Sequence, residues 1–214
     1  MTFINIAIAK GRLIEDSISM LHKMGIHFPD YDEESRKLIF CSENHSYRMI
    51  LVKPSDVPTY VERGAADIGI VGKDSLLESM TDVFEIADLK YGACKMVIAG
   101  LDEKTLFKKK LVVASKYPNI ARQFFQSQGR VIDTVKLNGS VELAPLIGLS
   151  DCIVDIVESG KTLKENGLKV IEEIFPISAR LIVNKASLKT KPQFIQPFLQ
   201  SVQSIVNSVG RVEK

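Results

Sequence analysis

Histidine and cysteine are scarce in this 214-residue chain, with three of each. His22, His27 and His45 fit no spaced motif with an acid or a nucleophile, so they write neither a Ser-His-Asp arrangement nor a histidine metal centre. Cys41, Cys94 and Cys152 lack metal-ligand spacing. Cys94 and Cys152 fall inside apolar runs and read as buried thiols of a reducing compartment, the cytoplasm. Neither sign of charge dominates: 28 lysines and arginines against 26 acids leave a net charge of +2. That excludes a nucleic-acid or membrane surface built by number, and makes any basic site a local one. No apolar run reaches spanning length. The N-terminus is apolar only to Ala9 and continues with Lys10, Arg12, Glu15 and Asp16, which is neither a secretory signal nor a membrane span. Internal repeats, low-complexity segments and long linkers are missing as well. What remains is a chain with 45% hydrophobic residues, enough to bury the core of one domain or two small ones.

Ile4 to Ala9 reads as a strand that opens onto Lys10-Gly11-Arg12, after which Ile14, Ile18, Leu21 and Met24 recur at helical spacing until Gly25. Cations at such a turn are solvated surface charges in most proteins. Flanking a glycine at the carboxyl edge of an α/β sheet, where open sheets bind ligands, they suit a polyphosphate. Leu38 to Cys41 and Tyr47 to Val52 form a hairpin around Ser42 to Ser46. Lys53 then ends a buried strand at the same edge as Lys10. A helix with Pro58 in its first turn and Gly64 past its end follows, with Ser55 or Asp56 as its cap. Asp67 to Gly72 is the next strand. Asp67 begins it and is expected to be structural, because ligands gather at the other end. Lys73-Asp74 leads into a helix from Ser75, which Asp74 or Ser75 would cap.

Phe84 to Leu89 carries the chain toward a second set of elements, in which Tyr91 to Ala99 and Leu111 to Ala114 read as strands, and Lys108 to Lys110 as a solvated loop. Lys116-Tyr117-Pro118-Asn119 enters a helix with Ile120, Phe124 and Phe125 on its apolar side. Tyr117 either packs under the proline turn or meets a ligand. Val131 to Leu137 is a strand, and Asn138-Gly139-Ser140 turns it into a helix containing Glu142, with Ser140 as cap. Lys169 to Phe175 and Ser178 to Val183 return the chain across the molecule. After Pro192 comes a helix with Ile195, Phe198, Leu199, Val202, Ile205, Val206 and Val209 at helical spacing, a stripe for core or subunit contact. Strands alternating with helices argue for parallel α/β sheets, and two sets of them for two lobes.

Gly148 to Leu168 holds the most informative stretch. Cys152 to Val157 is a buried strand by its Val and Ile content. Glu158-Ser159-Gly160-Lys161-Thr162 turns the chain, and Thr162 to Asn166 forms a short helix closed by Gly167. The N–H groups of Ser159 to Thr162 then have no intrahelical acceptor. With two hydroxyls and a glycine beside them, they suit a phosphate. An ordinary strand-to-helix connection has the same look. Asp155 repels a phosphate, but suits the hydroxyls of a sugar attached to one, or a metal ion.

Five stretches resemble, in one order, the motifs of ATP phosphoribosyltransferase, the first enzyme of histidine biosynthesis. They are AKGRL from Ala9, KPSDVPTYVERGAADIGIVGKD from Lys53, SKYPN from Ser115, KLNGSVELAPLIGLSD from Lys136, and the loop DIVESGKTLKENGL from Asp155. The resemblance covers nearly the whole chain. It implies an α/β fold of two lobes with a central cleft, like the type II periplasmic binding proteins. Residues 1–89 and 179–214 would form the first lobe. Residues 90–178, carrying the phosphoribosyl-phosphate loop, would form the second, with crossing segments near Asp88 and Ser178 as a hinge.

The implied reaction joins N1 of ATP to the anomeric carbon of phosphoribosyl pyrophosphate and releases pyrophosphate. The resemblance makes Lys10, Arg12 and Lys53 catalytic cations, and puts Gly11, Arg12, Lys73 and Tyr117 against ATP. Asp155, Glu158, Ser159, Gly160, Lys161 and Thr162, with Glu142, would hold the phosphoribosyl group, and Mg2+ would bridge the pyrophosphate. Lys53 stands where several relatives carry arginine, and Glu158 where many carry a small residue. The long form continues into a regulatory domain that senses histidine, whereas this chain stops near residue 214. The expectation is therefore a short form, working in a hetero-octamer with a regulatory subunit resembling histidyl-tRNA synthetase. The alternatives are a non-catalytic solute-binding module on the same fold and a phosphoribosyltransferase for another base.

Overall fold

Continuous apolar runs become the inner strands of two mixed sheets. In the computed structural model, which describes residues 3–212 and side chains through residue 208, the first elements in chain order are β1 (Ile4–Ala9), α1 (Ile14–Lys23), β2 (Ile39–Cys41), β3 (Tyr47–Val52), α2 (Val57–Glu62), β4 (Ile68–Gly72), α3 (Lys73–Ser79) and β5 (Phe84–Asp88). Then come β6 (Cys94–Gly100), β7 (Leu111–Ser115), α4 (Pro118–Ser127), β8 (Ile132–Lys136), α5 (Leu143–Leu146), β9 (Cys152–Val157), α6 (Lys161–Glu165) and β10 (Lys169–Ile177). The chain closes with β11 (Ala179–Val183), α7 (Lys185–Thr190) and α8 (Pro192–Val212). It divides into two units, Met1–Gly92 with Ser178–Lys214, and Ala93–Ile177.

The first unit carries a sheet in the order β2-β3-β1-β4-β11-β5. Strands β3, β1 and β4 run parallel, while β11 is antiparallel to both β4 and β5. Side chains alternate between two cores, as the period of a strand requires. Ile4, Ile6 and Ile8 of β1 pack into a cluster with Leu21 of α1 and Ile195, Phe198 and Val202 of α8. Ala7 and Ala9, one step out of phase, pack on the opposite face with Val57 and Val61 of α2. Covered on both faces, β4 is wholly buried, which is why such strands read as unbroken apolar runs. The α8 stripe is therefore core; the side chain of Val209 lies outside the described residues.

Asp67 closes the amino-terminal end of β4. Its carboxylate accepts from the Asn5 amide (2.9 Å), the Ser187 hydroxyl (2.6 Å) and the Lys191 ammonium (2.8 Å). It ties β1, α7 and the start of α8 together, the structural role its position foretold.

The second unit has the order β10-β6-β9-β7-β8, with β9, β7 and β8 parallel and β6 antiparallel to both β9 and β10. Cys94 and Cys152 are buried and in no disulfide. Among the described residues no helix is long and apolar enough to cross a membrane.

Several local expectations are corrected. Neither sheet is wholly parallel, because the chain leaves the first unit after β5 and re-enters it at β11, so that β11 runs against its neighbour β4. Asp56 occupies the cap position of α2 but makes no cap bond; its carboxylate takes the Ser55 hydroxyl instead. Helix α3 starts directly off β4, with Gly72 rather than Asp74 or Ser75 at the cap. Helix α5 is only four residues long, so Glu142 precedes it. Ser140 sits in the left-handed region at φ +48° and caps nothing, because the turn runs on through Val141 and Glu142.

Candidate functional site

In the second unit, three loops leave one sheet edge together. Strands β7, β8 and β9 are parallel, so Lys116-Tyr117, Asn138 to Glu142 and Glu158 to Thr162 all follow carboxyl ends, the side where open α/β sheets take ligands. Strand β9 outlasts one of its neighbours. Its pairing with β7 stops at Val154, opposite Ser115, while its pairing with β6 continues to Val157. Asp155 to Val157 are consequently half-buried, with no β7 ladder on one side. Ser115 finishes that ladder by donating its hydroxyl to the Val154 carbonyl (2.5 Å).

The turn after β9 is pinned at its far side by Leu163, which is 5% exposed and packs with Val141, Ala144 and Ile153. Gly160 takes φ +73°, a conformation that costs other residues energy. Among the described residues, the amides of Ser159, Gly160 and Thr162 have no acceptor, and Lys161 N–H makes only a long bond to Ser159 Oγ (3.4 Å). Consecutive free amides beside a left-handed glycine form an anion-binding concavity. The Glu158 side chain is exposed, directed to solvent as an acid next to such a concavity must be. Lys161 stands 3.9 Å from Glu165 at an exposed surface, a weak pairing that leaves its charge open to a ligand. Asp155 accepts from the Ile156 amide (2.8 Å). Glu142 is half-buried on the neighbouring loop.

Tyr117 is 2% exposed, with its amide donated to Ser115 Oγ (2.8 Å), so in this structure it packs beneath the proline turn. Lys116 above it holds its ammonium 5.6 Å from the ring centroid.

In the first unit, four cations follow strand ends at one edge. Lys10, after β1, donates its amide to the Val52 carbonyl (2.9 Å), which places it beside Lys53, after β3. Both are exposed, and among the described residues neither ammonium has a carboxylate partner. Arg12 donates from Nη1 to the Gly92 carbonyl (2.5 Å). Lys73, the first residue after β4, is held by Glu85 at 2.5 Å, so its charge is already answered. Sequence patterns missed that partner because it lies on another strand.

The Lys10-Gly11-Arg12 turn also lines a cavity of about 400 Å³, whose other wall holds Glu15, Tyr31, Asp32, Glu33 and Ser35. Burial and the nearby Glu33, Glu15 and Asp32 raise the Tyr31 phenol above its ordinary value, so it stays a neutral donor. The polar stretch after α1 gave no periodicity to mark this wall in advance.

Comparisons with known proteins agree along the chain. A profile of the family described as HisG, ATP phosphoribosyltransferase, matches residues 53–204. An ATP phosphoribosyltransferase of Thermoanaerobacter pseudethanolicus is 54% identical over 213 residues, covering 99% of this chain and 100% of the relative. That of Caldanaerobacter subterraneus subsp. tengcongensis is 51% identical over 208 residues, covering 97% and 99%. Among solved structures, the ATP phosphoribosyl transferase (HisG:HisZ) complex from Thermotoga maritima holds a chain 37% identical, with TM-score 0.83 over 96% of this chain and all of that one. The periplasmic aliphatic sulphonate binding protein SsuA from Escherichia coli, 15% identical, shares the fold with TM-score 0.59 over this whole chain and 75% of its own. This chain, with its two α/β units of the type II periplasmic-binding-protein kind, belongs to the ATP phosphoribosyltransferase family.

Proposed function

We propose that the chain transfers the phosphoribosyl group of phosphoribosyl pyrophosphate to N1 of ATP, giving phosphoribosyl-ATP and pyrophosphate, the first step of histidine biosynthesis. One observation carries this assignment: a turn with free amides at Ser159, Gly160 and Thr162 follows a strand that carries Asp155 near its end, within a chain half identical to ATP phosphoribosyltransferases from end to end.

In the reaction, the bond from the anomeric carbon to the pyrophosphate oxygen breaks, and its electron pair leaves with the pyrophosphate. The N1 lone pair of adenine forms the new bond, so no general base is needed. Positive charge grows on the ribose and negative charge on the leaving group, and the protein's task is positioning and electrostatics. The amides and hydroxyls of Ser159, Gly160, Lys161 and Thr162 hold the 5-phosphate. Asp155 and Glu142 take ribose hydroxyls, and their charge favours the growing cation. Lys10, Arg12 and Lys53 receive the leaving pyrophosphate, and Gly11 and Arg12 border the ATP site. Lys73 would join them only by exchanging Glu85 for a phosphate.

Among the described residues no cluster of three or more His, Cys, Asp or Glu could hold a metal. Mg2+ therefore belongs to the substrate in this proposal, carried on the pyrophosphate. The regulatory partner is a subunit resembling histidyl-tRNA synthetase, in a cytoplasmic hetero-octamer. The structural neighbour from Thermotoga maritima is named as part of a HisG:HisZ complex, which supports that partnership.

The test is pyrophosphate release from phosphoribosyl pyrophosphate and Mg2+ with ATP or other nucleobase acceptors, with and without the partner. Release with ATP alone, raised by the partner, is expected. Release only with another base would make it a different phosphoribosyltransferase. No release with any acceptor would favour a non-catalytic binding module on the same fold.

A further inference from the structure

Arg12 does not hang from its turn unsupported. It reaches across to the segment by which the chain leaves the first unit, Leu89 to Gly92. That segment is itself fixed: Leu89 N–H donates to the Ala179 carbonyl and Ala179 N–H to the Tyr91 carbonyl, both at 2.9 Å. Three contacts join it to the turn. Gly92 accepts the Arg12 Nη1 bond. The Tyr91 hydroxyl lies 2.9 Å from Ser17 Oγ, and Ser17 spends its own proton on the Leu13 carbonyl (2.5 Å), so Tyr91 must be the donor. Burial raises the Tyr91 phenol well above its ordinary value, which keeps that proton in place.

The third contact is steric. A β-carbon on Gly92 would overlap the Leu13 side chain and come within 3.3 Å of Arg12 Nη1, and residue 92 takes φ +61°. Both facts demand glycine, for space and for backbone conformation. Leu13 is 5% exposed and belongs to the main core of the unit, so it cannot easily yield. The strain would fall on the guanidinium.

We propose that Gly92 and Tyr91 are positioning residues for Arg12: the crossing segment sets the direction of the guanidinium through the Gly92 carbonyl, and holds the Leu13 turn at the distance that bond requires. This rests on the assignment of Arg12 to the ATP and pyrophosphate side of the reaction. The same crossing has a second strand of chain, and Lys73 N–H donates to the Ser178 carbonyl there (3.1 Å). Each crossing segment thus bonds to one of the cationic turns.

The experiment is a double-mutant cycle on the full chain with its regulatory partner, using ATP, phosphoribosyl pyrophosphate and Mg2+ and reading pyrophosphate release. Arg12→Ala is expected to lower kcat/KM about 100-fold, the scale of one lost charge-stabilising donor. Gly92→Ala is expected to lower it about 10-fold or more, and Arg12→Ala/Gly92→Ala no further than Arg12→Ala alone, since coupled residues are non-additive. Tyr91→Phe keeps the ring and removes one bond; a fall of about 3-fold that also vanishes without Arg12 is expected, which covers the case of a Gly92 variant that does not fold. Losses that persist in the Arg12→Ala background, or no loss in either single variant, would overturn the positioning role. An Arg12→Ala variant with unchanged kinetics would instead overturn the assignment of Arg12 itself.

Discussion

Replacing Gly160 by alanine separates a phosphate cradle from an ordinary connection. Residue 160 takes φ +73°, and an added β-carbon would meet nothing closer than Val157 Cγ1 at 3.8 Å, so the perturbation is conformational and not steric. Holding alanine in the left-handed region costs about 1 kcal/mol, which in a chain of this size lowers Tm by about 2–4 °C. If the turn relaxes to escape that strain, an amide swings off the phosphate. Bonds of this charged kind are worth about 1.5–3 kcal/mol, and losing one lowers kcat/KM for the sugar donor about 10- to 150-fold. Gly129 is the control. It has φ +71° and open space around its α-carbon, but it lies past the carboxyl end of α4, on the far side from the loops. Thermal melts should show Gly160→Ala and Gly129→Ala equally destabilised, and initial rates of pyrophosphate release should show only the first impaired. Asparagine, which tolerates this conformation, should recover part of the rate at position 160. Equal kinetics for the two alanine variants would refute the cradle.

Three further outcomes are expected. Asp67→Ala leaves the Asn5 amide, the Ser187 hydroxyl and Lys191 without their acceptor; denaturant unfolding should show a loss of about 2–3 kcal/mol, with kinetic constants of the folded fraction unchanged. For acid stability, burial would raise Asp151, but the Lys108 ammonium and the Val112 amide outweigh it and hold the carboxyl below 3.8. Asp88 behaves alike, through the Lys90 amide, Ser178, the Lys90 ammonium and Arg180. A depressed carboxyl contributes stability above its unfolded pKa and loses it as pH falls through the folded value, so Tm should drop below about pH 4. Asp151→Asn should lower the neutral Tm and flatten that acid limb; an unchanged limb would rule Asp151 out as a contributor. The Cys152 thiol is pushed up to about 12 by burial and by Asp151, so it remains protonated and unreactive at neutral pH. Iodoacetamide followed by mass spectrometry should label the half-buried Cys41 first and Cys152 only on unfolding.

The inner strands of the first sheet were legible because both of its faces are covered there, which leaves runs such as Ile68 to Gly72 no polar position to interrupt them. Helix ends marked by Gly25, Gly64 and Gly167 were legible through their left-handed φ. Strand direction was not: β10 and β11 pair antiparallel with neighbours far away in the chain, and periodicity carries no information about that. Helix α7 escaped notice, since six residues between Asn184 and Lys191 give too few turns for a pattern. At the site, the free amides of Ser159 to Thr162 followed from local spacing. The burial of Tyr117, the pairing of Lys73 with Glu85, and the bond from Arg12 to Gly92 did not, because each depends on which distant segment arrives alongside.

The unequal flanking of β9 has an engineering consequence. Its final three residues pair with β6 alone, while the turn beyond them is held through Leu163 against Val141 and Ala144, which follow β8. Exchanging the loop after β7 with that of a relative that uses another acceptor should therefore leave the grip on the sugar phosphate intact, whereas exchanging the loop after β8 would take Val141 and Glu142 from it. Retargeting the enzyme becomes a grafting problem on one stem, with the donor half of the chemistry inherited unchanged.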